Sequence, residues 1–180
     1  MVGIGAAAGL AASALSSIVG TKNTATSYDN NFITTFEQQA RDSTKNMVKA
    51  LDKSGDGTLN TDEIGLSKDA FSSIDTNGDS KLSETELNAA YVKREMEKST
   101  QDLMKALDTD GDGKLTANEM NLLDDEFKTI DKASAGAVGF QELMAAHPLN
   151  SLLSKFSDLA QTYTATASTA DSAKKVDLTA

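Results

Sequence analysis

Four twelve-residue windows of this 180-residue chain fall into one register: DKSGDGTLNTDE (Asp52–Glu63), DTNGDSKLSETE (Asp75–Glu86), DTDGDGKLTANE (Asp108–Glu119) and DKASAGAVGFQE (Asp131–Glu142). Each begins with Asp, carries an aliphatic residue at position eight and ends with Glu. Three have Gly at position six, where the second has Ser80. Such a repeat constrains the fold more than composition does, because a sharp turn is written into every copy. The spacing constrains it further. Windows one and two are separated by 11 residues (64–74), as are windows three and four (120–130). Eleven residues hold only two very short helices. In IGLSKDAFSSI, Ser67 is placed to cap a turn carrying Phe71 and Ile74. In MNLLDDEFKTI, Asp124 takes that place before Phe127 and Ile130. The two halves are one unit duplicated.

Longer helical patterns flank the windows. Ile33, Phe36, Ala40, Thr44, Met47 and Leu51 follow three/four spacing, with Thr34 and Glu37 at capping-box spacing near the start. A second pattern runs from about Ser83 to Leu107 with no Gly or Pro inside, and Val92, Met96, Leu103 and Leu107 mark its stripe. It reads as one helix, with Ser99–Thr100 as the place where a break would fall. A third begins at Leu149 and puts Leu149, Leu152, Leu153, Phe156, Leu159, Ala160 and Tyr163 on one face. No segment alternates apolar and polar residues as a strand does. The expected fold is all-α: two pairs of helix–loop–helix units, with short β-bridges where the position-eight residues Leu59, Leu82, Leu115 and Val138 meet.

The windows resemble the loops of the EF-hand calcium-binding family, and the compact pairs look like those of bacterial members. The pattern is Asp at one, Asp, Asn or Ser at three and five, Gly at six, an aliphatic at eight and Glu at twelve. Ca²⁺ is a hard cation that takes six to eight oxygens, and a tightly wound loop converges side chains one, three and five on a point. Position seven contributes its backbone carbonyl, so Thr58, Lys81 and Lys114 are acceptable there. Position-twelve Glu closes the shell with two oxygens. The resemblance therefore implies three calcium sites. The first is Asp52, Ser54, Asp56, Thr58 and Glu63. The second is Asp75, Asn77, Asp79, Lys81 and Glu86, and the third Asp108, Asp110, Asp112, Lys114 and Glu119. The third, with four carboxylates, is expected to bind tightest and the second weakest, because Ser80 at positive φ costs roughly 1–2 kcal/mol. The fourth window has Ala133 and Ala135 at three and five, so it is expected to stay empty while Gly136 and Val138 keep it folded and paired. Asn60/Glu63, Ser83/Glu86 and Thr116/Glu119 also have N-cap spacing, which links each metal shell to the start of the next helix.

The remaining composition narrows the function. A formal net charge of −10 disfavours nucleic acid and anionic membranes and favours cations or basic peptides. The chain has no Cys, which fits the cytosol and equally an exported protein, and leaves the compartment open. The single His, His147, cannot build a His-rich zinc site and is expected at the surface or at a cap. No catalytic constellation is visible, so an enzyme is not expected.

The domain reading is an Ala/Gly/Ser-rich segment 1–30, a calcium-binding region 31–147 (pairs 33–98 and 99–147), and an amphipathic helix with a disordered tail over 148–180. The first 21 residues are uncharged, but residues 2–20 hold only six large aliphatics. The segment reads as a mobile or weakly packed piece, an export-related segment or an anchor, with membrane contact the least favoured. A calcium sensor that exposes an apolar groove to a protein or peptide is the leading functional expectation. In that reading Met47, Met96, Met104, Met120 and Met144 supply adaptable surface, although ordinary core is their simpler role. A calcium buffer or calcium-stabilised structural protein is the alternative, in which three ions would change the charge to −10 + 6 = −4.

Overall fold

The computed structural model describes the backbone of residues 25–173 and the side chains of 31–161. The uncharged N-terminal segment therefore lies outside the described residues. Helix α1 spans Ala25–Leu51 and leads into loop 1. The short α2 (Thr61–Ile64) and α3 (Lys68–Ile74) connect loops 1 and 2, and α4 (Glu84–Leu107) leaves loop 2 and enters loop 3. Strand β1 (Leu115–Thr116), α5 (Ala117–Met120), α6 (Asp124–Phe127), β2 (Ala137–Val138), α7 (Phe140–Ala146) and α8 (Asn150–Ala173) complete the order. The fold is all-α apart from the pairing between loops.

The loop pairing follows position eight. Leu59 and Leu82 form an antiparallel bridge, their N–H groups donating to each other's carbonyls at 3.0 and 2.8 Å. Leu115 pairs with Val138 and Thr116 with Ala137, also antiparallel. All four position-eight side chains are fully buried. In loops 1 to 3 each is the one large apolar side chain of its loop, and in loop 4 Val138 sits among Ala133, Ala135, Ala137 and Phe140; burying them pulls the two loops of a pair together.

The chain divides into two compact units, one built on residues 37–92 with α8 from Leu152, the other on 93–151 with α1 up to Phe36. Under the first loop pair lies a core of Val48, Leu59, Phe71, Leu82 and Leu87, flanked by Leu51, Ile64 and Ile74. Under the second lies Leu103, Leu115, Met120, Phe127, Ile130, Val138 and Leu143. Phe71/Ile74 and Phe127/Ile130 are thus the apolar pairs delivered by the short helices. In the first unit α8 lies on α1: Lys155 pairs with Glu37 at 2.8 Å, and the Arg41 guanidinium sits 5.0 Å from the buried Phe156 ring.

Several local expectations are corrected. Helix α1 starts at Ala25, so Thr34 is interior to it and Glu37 is no cap. Glu37 instead binds Lys155 and Arg41, which hold its carboxyl below the usual range, Lys155 the more. Leu123, not Asp124, occupies the cap position of α6, its N–H donating to Glu126 at 3.2 Å. Helix α4 is unbroken, as expected: Thr100, where a new helix would have been capped, lies inside it and turns its hydroxyl to Met144 Sδ at 3.4 Å. Leu159 is 44% exposed although it falls on the predicted apolar face. Of the five Met named above, Met96 and Met120 are core and Met47 alone is substantially exposed, in line with their simpler role.

Candidate metal centres

Each loop is wound around its first and last carboxylates. In loop 1, Asp52 accepts from the N–H groups of Gly55 (2.7 Å) and Gly57 (2.9 Å) and from Ser54 Oγ (3.0 Å). In loop 2, Asp75 accepts from Gly78 (2.7 Å) and Ser80 (3.0 Å), and in loop 3, Asp108 from Gly111 (2.7 Å) and Gly113 (3.0 Å). The N–H groups at positions four and six therefore turn inward toward position one. That winding requires left-handed backbone at both positions. Position six is Gly57, Gly113 and Gly136 at φ 80°, 78° and 79°, with Ser80 at 64°. Position four is left-handed as well (Gly55, Gly78, Gly111 and Ser134), a requirement the sequence signals by Gly at that place in three loops.

Position-twelve Glu ties the loop's entry to its exit. Glu63 accepts from Lys53 and Ser54 N–H (3.0 and 2.9 Å) with one oxygen and from Asn60 N–H (3.0 Å) with the other. Glu86 accepts from Thr76 N–H (3.0 Å) and Ser83 N–H (2.9 Å), and Glu119 from Thr109 and Thr116 N–H (both 2.9 Å). The Thr109 and Thr116 hydroxyls add bonds of 3.0 and 2.9 Å, and these contacts together hold the Glu119 carboxyl down at about 2. Asn60, Ser83 and Thr116 each accept from the N–H of the Glu three residues on, at 3.1, 3.3 and 3.3 Å. All three expected capping boxes are thus present. The hydroxyls of Thr76 and Thr109 at position two were not anticipated as partners of the twelfth residue.

Positions three and five distinguish the loops. In loop 3, carboxylate oxygens of Asp108, Asp110 and Asp112 all lie within 4.8 Å of one another. Asp112 also accepts from Lys114 N–H at 2.7 Å, aligning position seven. In loop 2, Asn77 Oδ1 accepts from Asp79 N–H at 2.9 Å and its amide donates to Asp79 at 3.2 Å. In loop 1, Asp56 accepts from the N–H and hydroxyl of Thr58 at 2.9 and 2.6 Å, and from Lys81 of loop 2 at 2.8 Å. The carboxyl of Asp56 is consequently held far below its ordinary range, Lys81 being the main cause.

Loop 4 keeps the frame without those side chains. Asp131 accepts from Ala135 and Gly136 N–H at 2.9 and 2.8 Å, and Glu142 from Ala133 and Gly139 N–H at 3.3 and 3.2 Å. The donors are backbone amides, so Ala at positions three and five does not weaken this winding.

Oxygen-lined turns of this kind, paired back to back and each leading into a capped helix, define a divalent-cation-binding helix–loop–helix protein. Residues 66–123 match the family model of the EF-hand domain pair, which supports an EF-hand calcium-binding family for that stretch. No curated protein matches the chain. The matched stretch takes in loops 2 and 3 with α4 between them, whereas the backbone bridges join loop 1 to 2 and loop 3 to 4. Among the described residues no helix is long and apolar enough to cross a membrane.

Proposed function

We propose that the protein binds three calcium ions, in loops 1, 2 and 3, and works as a calcium sensor, with loop 4 a metal-free partner for loop 3. The reading of the sites is carried by loop 3, where the side chains at positions one, three and five converge. Loops 1 and 2 repeat its N–H bonds from positions four and six to position one and from positions two and nine to position twelve. Ca²⁺ would supply charge and directional oxygen coordination that these carboxylates match. In loop 3 it would be held by Asp108, Asp110, Asp112, Glu119 and the Lys114 carbonyl.

The sensor role rests on Glu86. It is both the closing residue of loop 2 and a first-turn residue of the 24-residue α4, and it is buried. Two residues further along α4, buried Asn88 accepts from Thr44 of α1 at 2.6 Å. A shift of Glu86 on binding is therefore felt by the contact between the helices entering and leaving the pair, which is how an apolar surface for a protein or peptide would be opened. A calcium-stabilised structural role is the second reading. It is favoured by the participation of the shell carboxylates in the loops' own hydrogen bonds, since an ion would then mainly complete the turns.

Apolar-dye binding and hydrogen exchange with and without Ca²⁺ separate the two. The sensor reading expects a folded calcium-free protein that gains dye on adding Ca²⁺, with exchange changing along α4. An unfolded calcium-free chain that loses dye on adding Ca²⁺ would replace it with the structural reading.

A further inference from the structure

In the pair formed by loops 1 and 2, one side chain crosses between the loops. Lys81, seventh in loop 2, places Nζ 2.8 Å from Oδ2 of Asp56, fifth in loop 1. The Leu59–Leu82 bridge fixes this crossing, because it holds the residue before Leu82 alongside loop 1. Both side chains are partly exposed, 50% and 39%, so the pair contributes little to folding. Its location is what matters. The other oxygen of Asp56 is engaged by Thr58, so both carboxylate oxygens have partners inside the pair. The ammonium also feels the charges of Asp79 and Glu63, which belong to different loops. Loop 4 offers loop 3 nothing equivalent: its seventh residue is Ala137.

We propose that Lys81 sets the affinity of loop 1, its ammonium competing with the incoming cation for Asp56. The inference rests on the reading of loop 1 as a calcium site. The exchange is simple in charge: a monovalent ammonium moves to water as a divalent ion takes the carboxylate. The same lysine couples the two loops, because an ion held by Asp79 in loop 2 repels the ammonium and frees Asp56 for loop 1. Loop 3 has no such competitor in its partner loop and carries one more carboxylate. The first site is thereby kept weaker than the third.

The experiment is a calcium titration of the full chain at low ionic strength, followed by the amide signals of Gly57 and Gly113, which report loops 1 and 3 separately. Lys81→Gln should tighten the Gly57 transition by about 3–5-fold, the upper range of an exposed ion pair. Lys81→Arg, which keeps the charge, should stay near wild type. Lys53→Gln removes a lysine at position two of loop 1 and measures the effect of net charge alone, expected below about 2-fold. Equal effects of Lys81→Gln and Lys53→Gln, or an unmoved Gly57 transition in Lys81→Gln, would overturn the role of Lys81 while leaving loop 1 a site. Should Gly57 ignore calcium in the wild type and Glu63→Gln alter nothing, loop 1 is no site, and the functional reading fails with the inference.

Discussion

Loops 3 and 4 share a backbone and differ in what it is for. Both wind their N–H groups onto a first-position Asp and tie their exits to a twelfth-position Glu. Only loop 3 adds carboxylates at positions three and five. On the proposed reading positions one and twelve have two duties, building the turn and facing the ion, whereas three and five add only bonds that loop 4 does without, such as that from the Lys114 N–H to Asp112. A loop can lose the second pair and still fold, which explains why Asp131 and Glu142 remain beside Ala133 and Ala135. Loop 4 still sets Val138 opposite Leu115 of loop 3.

The strongest break in that comparison is to exchange the ligand sets. Glu119→Gln removes one charged oxygen from the third shell and should weaken its calcium binding on the order of 100-fold, dropping the high-affinity stoichiometry by one in calorimetry. Conversely, Ala133→Asp with Ala135→Asp should give loop 4 a measurable ion, since its turn is already formed. If the double substitution adds no calcium, winding alone does not make loop 4 competent and the two-duty assignment fails.

The next effect is on stability. Asp131 is 6% exposed and accepts two backbone N–H groups, so Asp131→Ala leaves both without their acceptor. A loss of about 2–3 kcal/mol is expected in urea unfolding, of similar size with chelator and with Ca²⁺. Asp108→Ala should behave differently, costing much more in Ca²⁺ than in chelator. Equal calcium dependence for the two variants would erase the distinction between the loops.

Acid should separate the units. His147, expected at the surface or at a cap, does end α7 but is buried, and burial pushes its pKa down to about 4. Its Nδ1 accepts from Leu149 N–H at 3.1 Å, so the proton of the neutral ring sits on Nε2, 2.9 Å from Ser99 Oγ. The unfolded chain takes up this proton near pH 6.5, the folded one only near 4. Stability from the neutral ring is complete above pH 6.5 and is lost as pH falls toward 4. A loss on the order of 2 kcal/mol is expected over that window. Glu119, also held low, contributes in the same direction but between about 4.5 and about 2. Hydrogen exchange in chelator at pH 7 and 4.5 should show earlier weakening in residues 93–151 than in 37–92; a uniform change would contradict it.

Most of the loop architecture was legible because it is local. Asp at one and Glu at twelve announce the turn, and Leu59, Leu82, Leu115 and Val138 announce the pairing by recurring at position eight. Ser67, Phe71 and Ile74 were readable from spacing alone. What the sequence hid depends on distant partners. Glu37 looks like a cap until Lys155 and Arg41 are beside it, and His147, readable as a cap, shows its burial only once Ser99 and Leu149 are beside it. Lys81 was placed by its backbone carbonyl; its side chain became interesting only once the Leu59–Leu82 bridge brought loop 1 within reach.

The smallest expected effect concerns position six, where loop 2 alone has a side chain in left-handed backbone: Ser80 at φ 64° against Gly57 at 80° and Gly113 at 78°. A Cβ built at Gly57 or Gly113 meets nothing within 4 Å, so the cost of a residue there is torsional and not a clash. Ser80→Gly should therefore relieve about 1 kcal/mol, less a few tenths for the freer unfolded chain. Gly113→Ser should lose a similar amount. The turn is wound by Asp75 through the Ser80 N–H, a contact that needs no cation to form. The gain is accordingly expected in folding and not in binding: urea midpoints of Ser80→Gly rise equally in chelator and in Ca²⁺, and the affinity of loop 2 stays put. A gain confined to the calcium form would mean instead that Ser80 reaches its left-handed conformation only on binding, and that loop 2 is weak for the reason its sequence first suggests.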